Sequence, residues 1–503
     1  MRRTSTQIPP LAFLDDVSTP AAGKSRMQRM MTALAGIEFA MPSGSPLMKL
    51  CEAGARYGME EFEATISPDL LVSVSPKARL SLKRSLRRDL ARITRPCLEL
   101  ERTSFAYALQ ALGLPGQTND PEFVDRRFLR AKPCDRLFLM FKRFPVLADL
   151  WFQLISQWRC HVTEVVTRFA ADRRALSRAF FSSRPLRKIA DLRCGLSDSH
   201  NNGRTVARLQ CEAGSIIYKP RSGTGEWEWF SLLDWMNRHS FQPKLRAARV
   251  MRRGGYCWME HVEPASCKDE AAARRFYQRI GGMIAAAYFL KTVDCHRENV
   301  IAAGECPVLV DVDALWHVSH LTKTQSPAAV LYRTGFFPNS NRRSLQSRSS
   351  VLGRATAGKH LARIGGKPLE ASSHTTEITR GFTKAWHCLL GTQARRAAFL
   401  RRLRRIRSHE RRWIYLATAK YAAIRRASLQ PAVLRSITER VALLARLSWR
   451  STGSPAVLQT EIDALARLDI PYFIRTTNEL MPPDKSVLQR DLHQAIRQAL
   501  ESR

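Results

Sequence analysis

Apolar positions along the chain change rhythm three times. From residue 47 to 112 they recur at helical spacing, as in Leu80, Leu82, Leu86, Leu90 and Ile93, with arginines and lysines between them. Residues 120–130 read as a polar connection. Beyond it, Leu137, Phe141, Phe144, Leu147, Trp151, Leu154 and Ile155 predict one or two well-buried helices, and 162–181 continues as an amphipathic helix.

At Arg184-Pro185 the period shortens. Residues 205–209 and 215–218 alternate around Gly214 and predict two short strands of a hairpin. A bulky helix is expected over 226–238, a second hairpin at 249–252 and 256–261 around Gly254-Gly255, a long helix over 270–290, and a hydrophobic strand over 308–313. The stretch from Trp316 to about Ser373 has little periodicity and is long for a loop without structure of its own. Helical spacing returns from Ile378. Residues 395–412 read as one arginine-rich amphipathic helix with Phe399, Leu403 and Ile406 on its apolar face; further helices are expected at 431–447, 458–468 and 486–502.

These rhythms divide the chain into a loose N-terminal tail (1–45), a helical region (46–185), a β-rich part (186–265), a polar loop with its strand (266–330), a mobile loop (331–375), and a helical C-terminal part with its tail (376–503). The class expected is α+β.

Composition narrows the picture without choosing a function. A chain of 503 residues with 45% hydrophobic side chains can bury a sizeable core. No apolar run reaches membrane-spanning length, and the N-terminus lacks the apolar core of a secretory signal, so a cytoplasmic location is expected. The 11 cysteines include no C-x-x-C pair, which argues against a disulfide framework or a zinc ribbon and for reduced, mostly buried thiols. The net charge of +37 predicts attraction to polyanions, whether nucleotide phosphates, acidic peptide, nucleic acid or an anionic surface, and an arginine-rich solvated surface would give the same excess.

Candidate chemistry concentrates at Asp294-Cys295-His296-Arg297-Glu298-Asn299 and the strand that ends at Asp311. An Asp, an Asn five residues on and a second Asp twelve residues further form the polar set of ATP-dependent phosphoryl transfer. One carboxylate orients or deprotonates the attacking hydroxyl; the amide oxygen and the other carboxylate hold magnesium on the phosphates. Asp313 reads as a further ligand or, preferably, a solvated strand end. Lys219, leaving a strand after a hairpin, stands where such enzymes place the cation that grips a nucleotide phosphate, although a solvated lysine would look the same. Small sheet, helix, second hairpin, long helix and polar loop follow one another in the order of a two-lobed kinase.

Four blocks together carry a family resemblance. They are Leu196-Ser197-Asp198-Ser199-His200 with Gly203-Arg204-Thr205-Val206; Ile217-Tyr218-Lys219-Pro220-Arg221; Asp294 to Asn299 with Pro307-Val308-Leu309-Val310-Asp311; and Arg412 with Thr418 and Tyr421. With Phe144-Pro145-Val146-Leu147 and Ile470-Pro471-Tyr472-Phe473 flanking them, the chain from about 130 to 480 resembles the dehydratase half of the class II lanthipeptide synthetases, whose fold is lipid-kinase-like. The resemblance implies a two-lobed kinase-like α+β fold with an added N-terminal helical region. It implies a cytoplasmic enzyme that phosphorylates Ser or Thr of a leader-bearing precursor peptide with ATP and Mg2+, then eliminates the phosphate to give dehydroalanine or dehydrobutyrine. It assigns Asp294, His296, Asn299 and Asp311 to phosphoryl transfer, with Asn299 and Asp311 as magnesium ligands. Lys219 would grip phosphate, Asp198 and His200 would lie in the same pocket, and Arg412 and Thr418 would serve mainly elimination.

Two features depart from the family pattern. Leu416 stands where the family commonly has an arginine. A zinc-dependent cyclase half usually follows in the family, and the closing residues here have no Cys/His zinc constellation, so no cyclase half, no zinc and no thioether cyclisation are expected, and a separate cyclase becomes a candidate partner. Two other readings remain: a kinase that phosphorylates without eliminating, and an inactive basic protein that binds peptide or, less favoured, nucleic acid.

Overall fold

The computed structural model describes residues 46–113, 120–128, 133–317, 327–337, 350–352, 362–406, 410–452, 455–476 and 489–501. The expected N-terminal tail, and residues 338–349 and 353–361 of the expected 331–375 loop, lie outside them. The protein is mixed α+β, mostly helical with small antiparallel sheets. It divides into two compact units, one of residues up to Tyr218 with Tyr415–Tyr472, the other of Lys219–Ile414 with Phe473–Arg503.

The first unit is built on three helices: α1 (Pro46–Thr65), α2 (Pro76–Ala111) and α3 (Pro145–Phe180). The two spans expected around 137–155 and 162–181 are Pro133–Arg143 and the single long α3. Close approach of the three helices requires glycine. A Cβ on Gly54 would overlap the Trp151 ring, and one on Gly58 would overlap Leu86. Trp151, fully buried, donates its indole N–H to Thr94 Oγ1 at 2.8 Å, so its burial leaves no unmet donor. The polar connection expected at 120–130 instead contains a helix, Pro121–Phe128, because Val124 and Phe128 find a core that the local sequence does not reveal. After α3 come three antiparallel strands, β1 (Ile189–Arg193), β2 (Ala207–Cys211) and β3 (Gly214–Lys219), with Ala207 opposite Tyr218. The helices Thr418–Ala427, Ile437–Thr452 and Pro455–Ala466 complete the unit; Tyr421, Leu444, Leu465 and Ile470 form a cluster against which Leu416 packs.

The second unit begins at Lys219, the last residue of β3. It continues through α4 (Thr224–Arg238), the hairpin of β4 (Val250–Arg252) and β5 (Cys257–Glu260), α5 (Glu270–Leu290), and the hairpin of β6 (Val300–Ala303) and β7 (Cys306–Leu309). Asp269 caps α5 by accepting the Ala272 amide at 2.6 Å. Helix α5 packs on α6 (Thr375–Leu390) through reciprocal glycines: a Cβ on Gly281 would strike the Ile378 carbonyl, and one on Gly381 the Gln278 carbonyl.

Two expectations need correction here. The strand foreseen over 308–313 ends at Leu309, and the metal-ligand candidate Asp311 follows it outside any helix or strand. The arginine-rich helix foreseen over 395–412 is α7 (Gln393–Ile406) only. Arg412 lies on a separate strand, β8 (Arg411–Trp413), paired with β9 (Phe473–Arg475).

Candidate active site

The second unit gathers a compact set of charges around Lys219. This lysine is 3% exposed, and its Nζ donates to Glu226 Oε1 at 2.7 Å and to the Val310 carbonyl at 2.5 Å. Glu226 stands in the first turn of α4, 1% exposed. Its neighbour Gly225 makes this placement possible, since a Cβ there would collide with the Val312 carbonyl. Glycine lets α4 rest directly on the backbone that carries Asp311 and Asp313.

Arg221 ties the carboxylates together. It donates through Nη2 to Glu226 Oε1 (2.6 Å) and Asp311 Oδ1 (2.5 Å), and through Nη1 to Asp313 Oδ2 (3.0 Å). Arg412 approaches the same Asp313 oxygen at 3.6 Å, and its backbone N–H donates to the Asp313 carbonyl at 3.0 Å. Burial alone would raise the Glu226 carboxyl, but Arg221 and Lys219 outweigh it and bring the pKa down to about 2. Asp311 is held lower still by the balance of burial against Arg221, Lys219 and Arg412. Asp313 goes the other way: burial and the neighbouring Asp311 charge raise it despite Arg221. The solvated strand end expected at Asp313 is instead a buried carboxylate, covered by β8 and held between two guanidinium groups.

The 294–299 loop joins this set through the backbone of one residue, Val310. The Val310 N–H donates to the Asn299 carbonyl at 2.7 Å, while the Val310 carbonyl accepts Lys219. Asp294 sits in the left-handed region (φ 67°), a conformation Asp tolerates better than most residues. Its carboxylate lies 3.5 Å from His296 Nε2. His296 Nδ1 accepts the Glu298 N–H at 3.3 Å, and its Nε2 lies 3.4 Å from Asn299 Nδ2. Asn299 Nδ2 donates to the Asp294 carbonyl at 2.9 Å, leaving the amide oxygen as its remaining ligand atom. Cys295, fully buried within the loop, has its thiol pushed well above the usual range by that burial, so it is not a nucleophile.

Among the described residues no group of three or more His, Cys, Asp or Glu is placed to hold a metal ion. A magnesium ion carried with nucleotide phosphates needs only one or two protein oxygens. The Asn299 amide oxygen and the ionised Asp311 carboxylate are hard donors of that kind, so these residues fit magnesium.

Asp198, His200 and Thr418 belong to the first unit. Asp198 Oδ1 accepts from Arg425 at 3.3 Å, and His200 Nδ1 lies 2.7 Å from the Ile470 carbonyl. The Asp469 carboxylate accepts the Asn202 and Gly203 amides, which fixes the turn after His200. Thr418 opens the helix Thr418–Ala427. Within the second unit Lys219, Asp311, Arg412 and the 294–299 loop are brought together.

Sequence reasoning missed Glu226 and gave Arg221 no role. The available signal was an acidic residue in the first turn of the helix that follows the strand-end lysine, with a glycine directly before it.

Comparison with known proteins adds two findings. Residues 144–361 and 344–476 match the model of a family described as a domain of unknown function, DUF4135. Over 131 residues the chain is 25% identical to the lacticin 481/lactococcin biosynthesis protein LcnDR2 of Lactococcus lactis subsp. lactis, a stretch covering 24% of this chain and 14% of that protein. The family match extends over well more than half of the sequence: the chain belongs to the DUF4135 family.

Proposed function

We propose that the chain is a lanthipeptide-type dehydratase with a two-lobed kinase-like architecture, acting on Ser and Thr of a precursor peptide. The observation that carries this reading is the buried Lys219–Glu226 pair, joined through Arg221 to Asp311. A strand-end lysine held by a helix glutamate beside a metal-ligand aspartate is the arrangement of ATP-dependent phosphoryl transfer. The similarity to a lacticin biosynthesis protein supports a peptide as the acceptor.

In this reading Asp294, with its side chain partly open to solvent, receives the proton of the attacking Ser or Thr hydroxyl, and His296 steadies it. Lys219 grips a phosphate, and Glu226 fixes the lysine so that little reorganisation accompanies binding. Asn299 and Asp311 would hold magnesium, which would offset charge on the ATP phosphates. The hydroxyl oxygen forms a bond to the γ-phosphorus as the bond to ADP breaks. In the second stage a base removes the α-proton, the Cα–Cβ double bond forms, and inorganic phosphate leaves. Arg412 and Thr418 are assigned to the departing phosphate, and Asp198 and His200 to the same chemistry. A guanidinium with a hydroxyl suits that charge.

A kinase that stops at phosphopeptide is the second reading. Leu416 favours it, because it packs into the Tyr421 cluster where the family commonly carries an arginine. Incubation of precursor peptide with ATP and Mg2+ tests both. Lys219→Met slows both stages under the dehydratase reading and phosphorylation alone under the kinase reading. A variant of undiminished rate would remove Lys219 from the site.

A further inference from the structure

Arg221 is the least expected member of the charge set. A single guanidinium engages three carboxylates at 2.5–3.0 Å, and it occupies Oδ1 of Asp311. Resting on the reading of Asp311 as a magnesium ligand, we propose that Arg221 competes with the divalent cation for Asp311 and yields it only when nucleotide phosphates draw the guanidinium away.

The argument is electrostatic. Asp311 has one unit of negative charge, already shared with a guanidinium at hydrogen-bond distance. A divalent cation brought to the same carboxylate meets that positive charge at close range and binds weakly while Arg221 stays. Phosphate oxygens are the natural alternative for a planar five-donor fork, and Arg221 is two residues from Lys219, so the shift required is short. Glu226 and Asp313 also contact the guanidinium, Glu226 at the same Nη2 that reaches Asp311 and Asp313 at Nη1, so it keeps carboxylate partners when Asp311 is released. Metal and nucleotide thereby bind with positive coupling. The site is loaded by the pair rather than by the cation alone, which keeps the 294–299 loop from holding metal with no phosphate to transfer.

The test is Mn2+ binding to the full chain, read by electron paramagnetic resonance, with and without a non-hydrolysable ATP analogue. The wild type should bind Mn2+ weakly alone and about tenfold or more tighter with the analogue, within the usual range for coupled sites. Arg221→Gln should bind Mn2+ alone about as tightly as the wild type does with the analogue, and should lose most of the analogue's effect. Arg221→Lys keeps one charge without the fork and should fall between the two, which preserves the test if the glutamine variant folds poorly. Unchanged Mn2+ affinity in both variants, with binding still abolished by Asp311→Asn, would overturn the competition and leave Asp311 as a ligand. Binding unaffected by Asp311→Asn would overturn both.

Discussion

Lys219 Nζ and Glu226 Oε1 form a buried ion pair of 2.7 Å, one partner at the end of a strand and the other in the first turn of the next helix. A buried pair of this kind is a weak source of net stability, yet losing one member is severe because the other charge is left in a dry interior. Glu226→Ala should therefore destabilise the fold by about 3–5 kcal/mol. Glu226→Gln should cost less, and both should abolish phosphorylation. Denaturant unfolding alongside an activity assay distinguishes a positioning role from a purely structural one: the glutamine variant should be folded and inactive. A folded, fully active Glu226→Gln would remove the pair from the chemistry.

The acid side of the stability curve should be steep. His161 and His317 are both pulled from 6.5 to about 4, first of all by burial, then by nearby arginines. Their folded pKa values lie below the unfolded value, so the unfolded chain takes up protons that the folded chain refuses. Their contribution is complete above about pH 6.5 and disappears as the pH falls toward about 4, at roughly 1.4 kcal/mol per pH unit for each histidine. Unfolding midpoints measured across this window should fall steadily, and His161→Gln should flatten part of that slope. A flat profile would mean that these rings are protonated in the folded protein.

In the proposed dehydratase, Arg412 would serve elimination rather than phosphorylation. Its guanidinium lies against Asp313, and its strand is held by His317, which stacks on Trp413 at 4.3 Å and hydrogen-bonds to Ile414. Arg412→Ala should leave phosphorylation measurable and slow elimination by about 10²-fold, the usual loss on removing one charge-stabilising donor. Phosphorylated peptide would then accumulate. Unchanged dehydration would take Arg412 out of elimination.

What the sequence made legible was local. The long helix over 270–290 matches the structure to the residue, because its apolar face, Asp cap and following polar loop all lie within one stretch. Lys219 and the 294–299 loop were visible because each stands at a fixed distance from a periodic element. Glu226, Arg221 and Asp313 acquire their roles only from non-local packing: Gly225 letting α4 onto the Val312 backbone, and β8 covering Asp313. Arg412 was misplaced for a related reason. Helical periodicity in an arginine-rich run has no marker for its end, and the partner strand of β8 lies far along the chain.

The most direct measurement is the mass of a precursor peptide after incubation with the full chain, ATP and Mg2+. The account predicts the loss of one water for each modified Ser or Thr, with no loss and no phosphate added when Asp311→Ala replaces the wild type. Dehydration that persists in Asp311→Ala, or a wild-type peptide whose mass never changes while ATP stays intact, would contradict it.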